Sequence, residues 1–148
     1  MEAHKSHNSW IHRTSFFFGN QATGAVLWWL RAGAIPMRKR ILIVEDDEVV
    51  ADHLAALVRE HLGCVPVVST TCSGALNRAD SVDFGFLDIK LGDEDAFQLA
   101  SRFRRQGVPF VFVSATDPAK VPHELAAAPF LRKPVSAPHL LAAARRHL

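Results

Sequence analysis

From Arg40 onward the chain alternates short β-branched or aromatic runs with segments whose apolar residues recur every three or four positions. Ile41-Leu42-Ile43-Val44 is continuously apolar and ends in acids, as in a strand covered on both faces. Val50, Leu54, Leu57, Val58, His61 and Leu62 then fall at helical spacing, and Gly63 supplies a stop. A second strand is predicted over residues 64–68. A helix follows over residues 73–79, with Ser69, Thr70 and Thr71 as N-cap candidates. Residues 84–87 form a third strand ending at Asp88. A helix over about residues 95–105 carries Phe97, Leu99, Ala100 and Phe103 and is closed by Gly107. Phe110-Val111-Phe112-Val113 is a fourth strand ending at Ser114. Pro118 and Pro122 leave little room for a regular helix before Ala128. Phe130-Leu131 is a brief fifth strand, and residues 140–148 a last helix with Pro138 in its first turn.

Five such alternations imply an α/β fold: a doubly wound, five-stranded parallel sheet with helices on both faces. Ligands of such sheets bind beyond the carboxyl ends of the strands, where strand order reverses. Functional polar residues should therefore follow the strands directly, and they do. Glu45-Asp46-Asp47 follow the first strand, Asp88 the third, Ser114 the fourth and Lys133 the fifth.

These motifs are Ile-Leu-Ile-Val-Glu45-Asp46-Asp47, Phe-Leu-Asp88-Ile-Lys-Leu-Gly, Phe-Val-Phe-Val-Ser114-Ala115 and Phe130-Leu-Arg-Lys133-Pro134. In that order the sequence resembles the receiver domains of two-component response regulators over residues 38–148. The resemblance implies a flavodoxin-like receiver fold with Asp88 as phosphoacceptor and nucleophile. It implies Mg2+ held by Asp46, Asp88 and the main-chain carbonyl of Lys90, with Glu45 acting through water. Lys133 would neutralise the transferring oxygens, with the peptide before Pro134 often cis in the family. Ser114 would hydrogen-bond the phosphoryl group beside the small Ala115, and Phe130 would be an aromatic switch residue moving with Ser114. The physical chemistry agrees. Carboxylates about 5 Å apart repel by roughly 3 kcal/mol at an effective dielectric of 20. A hard cation relieves this, and Mg2+ takes one or two carboxylates while keeping its waters. A carboxylate attacking phosphorus gives an acyl phosphate, whose formation needs the metal and a lysine to offset charge.

Plainer roles stand beside these. Asp47 suits a helix N-terminus. A lone lysine is usually a solvated charge, Ser114 could form a turn, and Phe130 could simply fill the core. His53 and His61 face solvent or a partner, and Arg102, Arg104 and Arg105 read as a solvated helix face. Residues 88–96 read Asp-Ile-Lys-Leu-Gly-Asp-Glu-Asp-Ala, without the proline and the glycine at the positions where many family members carry them, which leaves loop shape and phosphoryl lifetime open.

Composition narrows the function further. The chain has 148 residues, 49% of them apolar, enough for one domain with a core plus a tail. Residues 37–148 carry 14 basic and 14 acidic side chains, so no basic stripe for duplex DNA is present and direct nucleic-acid binding is not expected. Cys64 and Cys72 lack metal-ligand spacing and are expected to be buried thiols in a reducing compartment. No apolar run reaches the ~20 residues of a membrane span, and a cytoplasmic location is expected.

Residues 1–36 differ in character, with Phe16 to Phe18 and the Trp28-Trp29 pair but no period. Three readings compete: a mis-assigned or non-native start ahead of Met37, an interaction arm, or a secretory signal ending near Ala32-Gly33-Ala34. His4, His7 and His12 lack a scaffold for a metal site. By the resemblance, residues 37–148 would be the receiver domain, and the sequence ends after its last helix. The expectation is therefore a stand-alone regulator without an output module, phosphorylated by a histidine kinase or histidine phosphotransfer protein and signalling through a downstream protein partner. It would be no enzyme beyond its own phosphorylation and dephosphorylation. The alternatives are a phosphorylation-independent interaction module of the same fold and a phosphohydrolase, the latter disfavoured by the absence of a cap segment.

Overall fold

The computed structural model describes residues 37–148; the readings of residues 1–36, including their histidines, lie outside the described residues. Among the described residues, seven strands and four helices follow in chain order: β1 (Arg40–Val44), α1 (Glu48–Leu62), β2 (Val65–Ser69), α2 (Cys72–Leu76), β3 (Phe84–Leu87), β4 (Lys90–Leu91), β5 (Glu94–Asp95), α3 (Phe97–Gln106), β6 (Phe110–Ser114), β7 (Phe130–Arg132) and α4 (Ala137–Arg145). Single 3-10 turns occupy Ala79–Ser81, Pro118–Lys120 and His123–Leu125.

Five strands form one parallel sheet in the order β2-β1-β3-β6-β7, the doubly wound architecture predicted from the alternation. The near-continuous apolar runs are explained by burial on both faces. Alternate residues of the inner strands enter two separate cores. Leu42, Val44, Leu87, Phe110 and Phe112 pack with α2 and α3 through Ala75, Leu99 and Phe103. Ile41, Ile43, Phe84, Phe86, Val111 and Val113 pack with α1 and α4 through Leu54, Val58, Leu140 and Ala144. Each such fully buried side chain contributes roughly 1.5–3 kcal/mol, so the sheet is the rigid frame of the domain. Gly85 lies between them, and a Cβ there would stand 2.6 Å from Phe103 Cε2.

The boundaries shift where local chemistry decides. Gly63 turns left-handed at φ 63° and sends its N–H back to the Val58 carbonyl, so Cys64 belongs to the exit of α1 and β2 starts at Val65. Thr71 caps α2 by accepting from the Gly74 N–H at 3.1 Å, but α2 ends at Leu76, short of the predicted residue 79. The region after β6 holds two 3-10 turns in place of a helix, as the two prolines foretold. Proline 138 sits in the first turn of α4, which begins three residues before the predicted start.

Two features were not anticipated. Residues 90–95 fold into an antiparallel hairpin, pairing Lys90 with Asp95 and Leu91 with Glu94. Arg102 is not a solvated face residue: its guanidinium grips both oxygens of Asp80 at 2.7 Å and the Leu76 carbonyl at 3.1 Å, tying α3 to the end of α2.

Candidate functional site

The sheet ladder itself carries the acidic residues to one rim. The Asp88 N–H donates to the Val44 carbonyl at 2.9 Å, and the Glu45 N–H to the Ser69 carbonyl at 3.1 Å. These bonds extend β3 and β1 by one residue each and set the two carboxylates side by side. On the other flank the Lys133 N–H donates to the Ser114 carbonyl at 3.0 Å, so β6 and β7 end in register as well. Strand order changes direction between β1 and β3, which places Glu45 and Asp88 at the crevice.

Asp88 is 8% exposed and both its oxygens are engaged. The Ser114 hydroxyl donates to Oδ1 at 2.6 Å and the Lys133 ammonium to Oδ2 at 2.7 Å. The Lys90 N–H reaches Oδ1 at 3.3 Å, while the Lys90 side chain is exposed. Lys133 also donates to Glu45 Oε2 at 2.6 Å, and the other Glu45 oxygen accepts from the Asp47 N–H at 3.4 Å. The Lys133–Pro134 peptide is cis. Ligand-capable oxygens of Glu45, Asp46 and Asp88 lie within 4.8 Å of one another. Asp46 is the exposed member, and its Oδ2 accepts from the Gly92 N–H at 3.1 Å.

Electrostatics follow from this packing. Burial raises the Glu45 carboxyl above its ordinary value, against the stabilising hydrogen bond and charge of Lys133. At Lys133 burial acts downward, but the hydrogen bonds it donates to Asp88 and Glu45, together with their charges, outweigh it and lift the ammonium above its ordinary value. Lys133 is thus a fixed cation. Three carboxylates face one ammonium, a formal surplus of two negative charges in a half-buried pocket of hard oxygens. That donor set fits a divalent cation of the Mg2+ type, and the cluster could hold a metal ion.

The sequence-predicted residues Glu45, Asp46, Asp88, Ser114 and Lys133 are therefore brought together. Asp47 is apart from them, capping α1 by accepting from the Val49 and Val50 N–H groups at 2.9 and 3.2 Å. Phe130 is half-buried and lies opposite Phe112 in the β6–β7 ladder, with the ring centroids 6.3 Å apart. Sequence reasoning missed Thr116, whose N–H and hydroxyl both lie 3.3 Å from Ser114 Oγ. It also missed Gly92. Neither carries a side-chain signature that spacing alone could have flagged. Both cysteines are buried free thiols, as expected.

Comparison with known proteins fits this geometry. The family described as response regulator receiver domain matches residues 41–145. The sensory transduction protein RegX3 of Mycobacterium tuberculosis is 36% identical over 111 residues, covering 71% of this chain and 48% of that protein. The chain spans about a third to a half of the length of the curated relatives it matches. A response regulator receiver domain protein (CheY-like) from Methanospirillum hungatei superposes with a TM-score of 0.63 at 25% identity, over 74% of this chain and 92% of that one. The response regulator TrrA of Thermotoga maritima, solved in complex with Mg2+-BeF, shares the fold at a TM-score of 0.65 and 21% identity, over 74% and 99% of the two chains. An acidic rim at the switch point, a lysine directly after the last strand and a family match over nearly all described residues place this chain in the response regulator receiver domain family.

Proposed function

We propose that Asp88 accepts a phosphoryl group from a histidine kinase or histidine phosphotransfer protein in a Mg2+-dependent step, and that the domain then signals through protein contacts. The observation that carries this reading is the set of partners on Asp88: a hydroxyl on one oxygen, an ammonium on the other, and two further carboxylates alongside. One Asp88 oxygen attacks phosphorus, the P–N bond of the donor phosphohistidine breaks, and the electron pair leaves on the imidazole. Ser114 and Lys133 must turn from Asp88 to the phosphoryl oxygens as the negative charge moves there, which keeps both donors satisfied throughout. Asp46, Asp88 and the Lys90 carbonyl would hold Mg2+, with Glu45 acting through water, and the ion supplies charge neutralisation on the phosphoryl oxygens.

Glu45 suits that outer role because Lys133 and the Asp47 N–H already occupy its oxygens. Phe130 serves as the switch: rotation toward the space that Ser114 vacates would change the surface around β6 and β7. The neutral balance of residues 37–148 favours protein partners over direct nucleic-acid contact by this domain, in a cytoplasmic setting. Among the described residues no helix is long and apolar enough to cross a membrane. The domain turns over no substrate beyond its own phosphoryl group.

The test is transfer from a phosphorylated histidine phosphotransfer protein, followed by intact mass with Mg2+ and with chelator. A single adduct that needs the ion and is absent in Asp88→Asn supports the reading. Partner binding without any adduct, unchanged in Asp88→Asn, would replace it with the phosphorylation-independent module.

A further inference from the structure

We infer that the hairpin of β4 and β5 is a positioning element for the cation site, with Glu94 as the remote residue that anchors it. The inference rests on the reading of the acidic rim as a Mg2+ site. Two of the proposed ligands depend on this hairpin. The Lys90 carbonyl belongs to β4, and Asp46 is held by the Gly92 N–H at the hairpin tip. Asp46 is exposed, so without that bond its carboxylate would sample several rotamers. The bond engages Oδ2 and leaves Oδ1 free to ligate. Gly92 can make it because it adopts φ 64°, and because it has an N–H that a proline in this loop would lack.

The hairpin is held at three places. Its base closes through the Ala96 N–H to the Ile89 carbonyl at 3.1 Å, and Leu91 is buried in the core. The far strand is pinned by Glu94, whose Oε2 accepts from the Cys72 N–H at 3.0 Å at the start of α2. Glu94 touches neither Asp46 nor Asp88, so its effect on the cation passes through the hairpin backbone. Hydrogen bonds that orient ligating carboxylates typically govern metal affinity by about 10–100-fold. Removing the Glu94 anchor acts one step further out, and the expected loss lies at the lower end of that range.

The experiment is calorimetric titration of the full chain with Mg2+, beside hydrogen exchange of the Gly92 amide without metal. In Glu94→Ala, Mg2+ binding should weaken about tenfold and the Gly92 amide should exchange faster. Glu94→Gln keeps an acceptor for the Cys72 N–H and should restore both to near the wild-type level, whereas a long-range charge effect would leave it as weak as alanine. Asp83→Asn, which loosens the entry to β1 at the end of the sheet away from the rim, should leave Mg2+ affinity unchanged. Wild-type affinity in Glu94→Ala, equal weakening in Glu94→Gln, or equal weakening in Asp83→Asn would overturn the inference. Failure of the wild-type chain to bind Mg2+ at all would instead remove the cation reading on which it rests.

Discussion

Lys133 and Glu45, 88 positions apart in the chain, meet at 2.6 Å with the carboxylate only 2% exposed. The ammonium compensates a charge that burial would otherwise expel. Truncating Lys133 to Ala should therefore destabilise the metal-free domain by about 2 kcal/mol, the penalty of leaving a buried acceptor without its donor. Burial already raises the Glu45 carboxyl, so it contributes more stability when protonated, and that contribution is lost as pH rises through its folded value. The Lys133→Ala deficit should thus be larger at pH 7 than at pH 5, and Glu45→Gln in the same background should recover part of it. Urea unfolding in chelator at the two pH values reads both effects.

Gly85 and Phe103 set a tight contact under the sheet. A methyl group at position 85 would meet the ring edge at 2.6 Å, and the ring is fully buried. Gly85→Ala should cost about 1–3 kcal/mol by overpacking. Adding Phe103→Leu should recover some of that loss, measured as non-additivity in a double-mutant cycle by thermal or urea unfolding.

Asp83 anchors the entry to β1. Its Oδ2 accepts from the Arg40 N–H at 2.8 Å and its Oδ1 from the Lys39 ammonium at 3.2 Å. The Arg40 N–H is the main cause of its lowered pKa, with Lys39 adding to it. A depressed carboxylate stabilises the fold above its unfolded value, about 3.9, and the contribution is lost as pH falls through the folded value. Asp83→Asn should lower stability at neutral pH and flatten the loss of stability below about pH 4. The comparison is the slope of unfolding free energy between pH 6 and the acid limb.

Burial raises both Cys64 and Cys72 thiols, the first with a push from Asp83 and the second from Glu94. Thiolate is the reactive form, so both should be inert in the folded protein. Ellman's reagent at neutral pH should react slowly with the native chain and release two equivalents of chromophore at once in denaturant. Rapid native reaction of either thiol would show that its core opens.

The strands and the rim were legible in the sequence because both obey strong rules. A strand buried on two faces must be apolar throughout, and a doubly wound sheet must present its chemistry after the strands. That rule put Glu45-Asp46-Asp47, Asp88, Ser114 and Lys133 at the strand ends, and the resemblance to receiver domains implied the role of each at the site. The hairpin of residues 90–95 was not legible: two-residue strands have no period, and Lys-Leu-Gly-Asp-Glu-Asp carries no β-branched residue. What holds it are the Gly92 and Glu94 bonds to distant partners, which appear only once the sheet is assembled. Arg102 eluded a helix-face reading likewise, because its partner Asp80 arrives from another segment. The start of β2 slipped by one residue because the left-handed Gly63 claims Cys64 for the helix exit.

The central claim is that Asp88 itself forms the acyl phosphate. The most direct measurement treats the full chain with a small phosphodonor and Mg2+, reduces the product with borohydride, and maps the modified residue by peptide mass. An acyl phosphate is reduced to the alcohol, so the account predicts homoserine at position 88 and nowhere else, and no conversion when the ion is chelated. An unmodified Asp88, or instead homoserine at Asp46 or the one-carbon-longer alcohol 2-amino-5-hydroxypentanoate at Glu45, would contradict it.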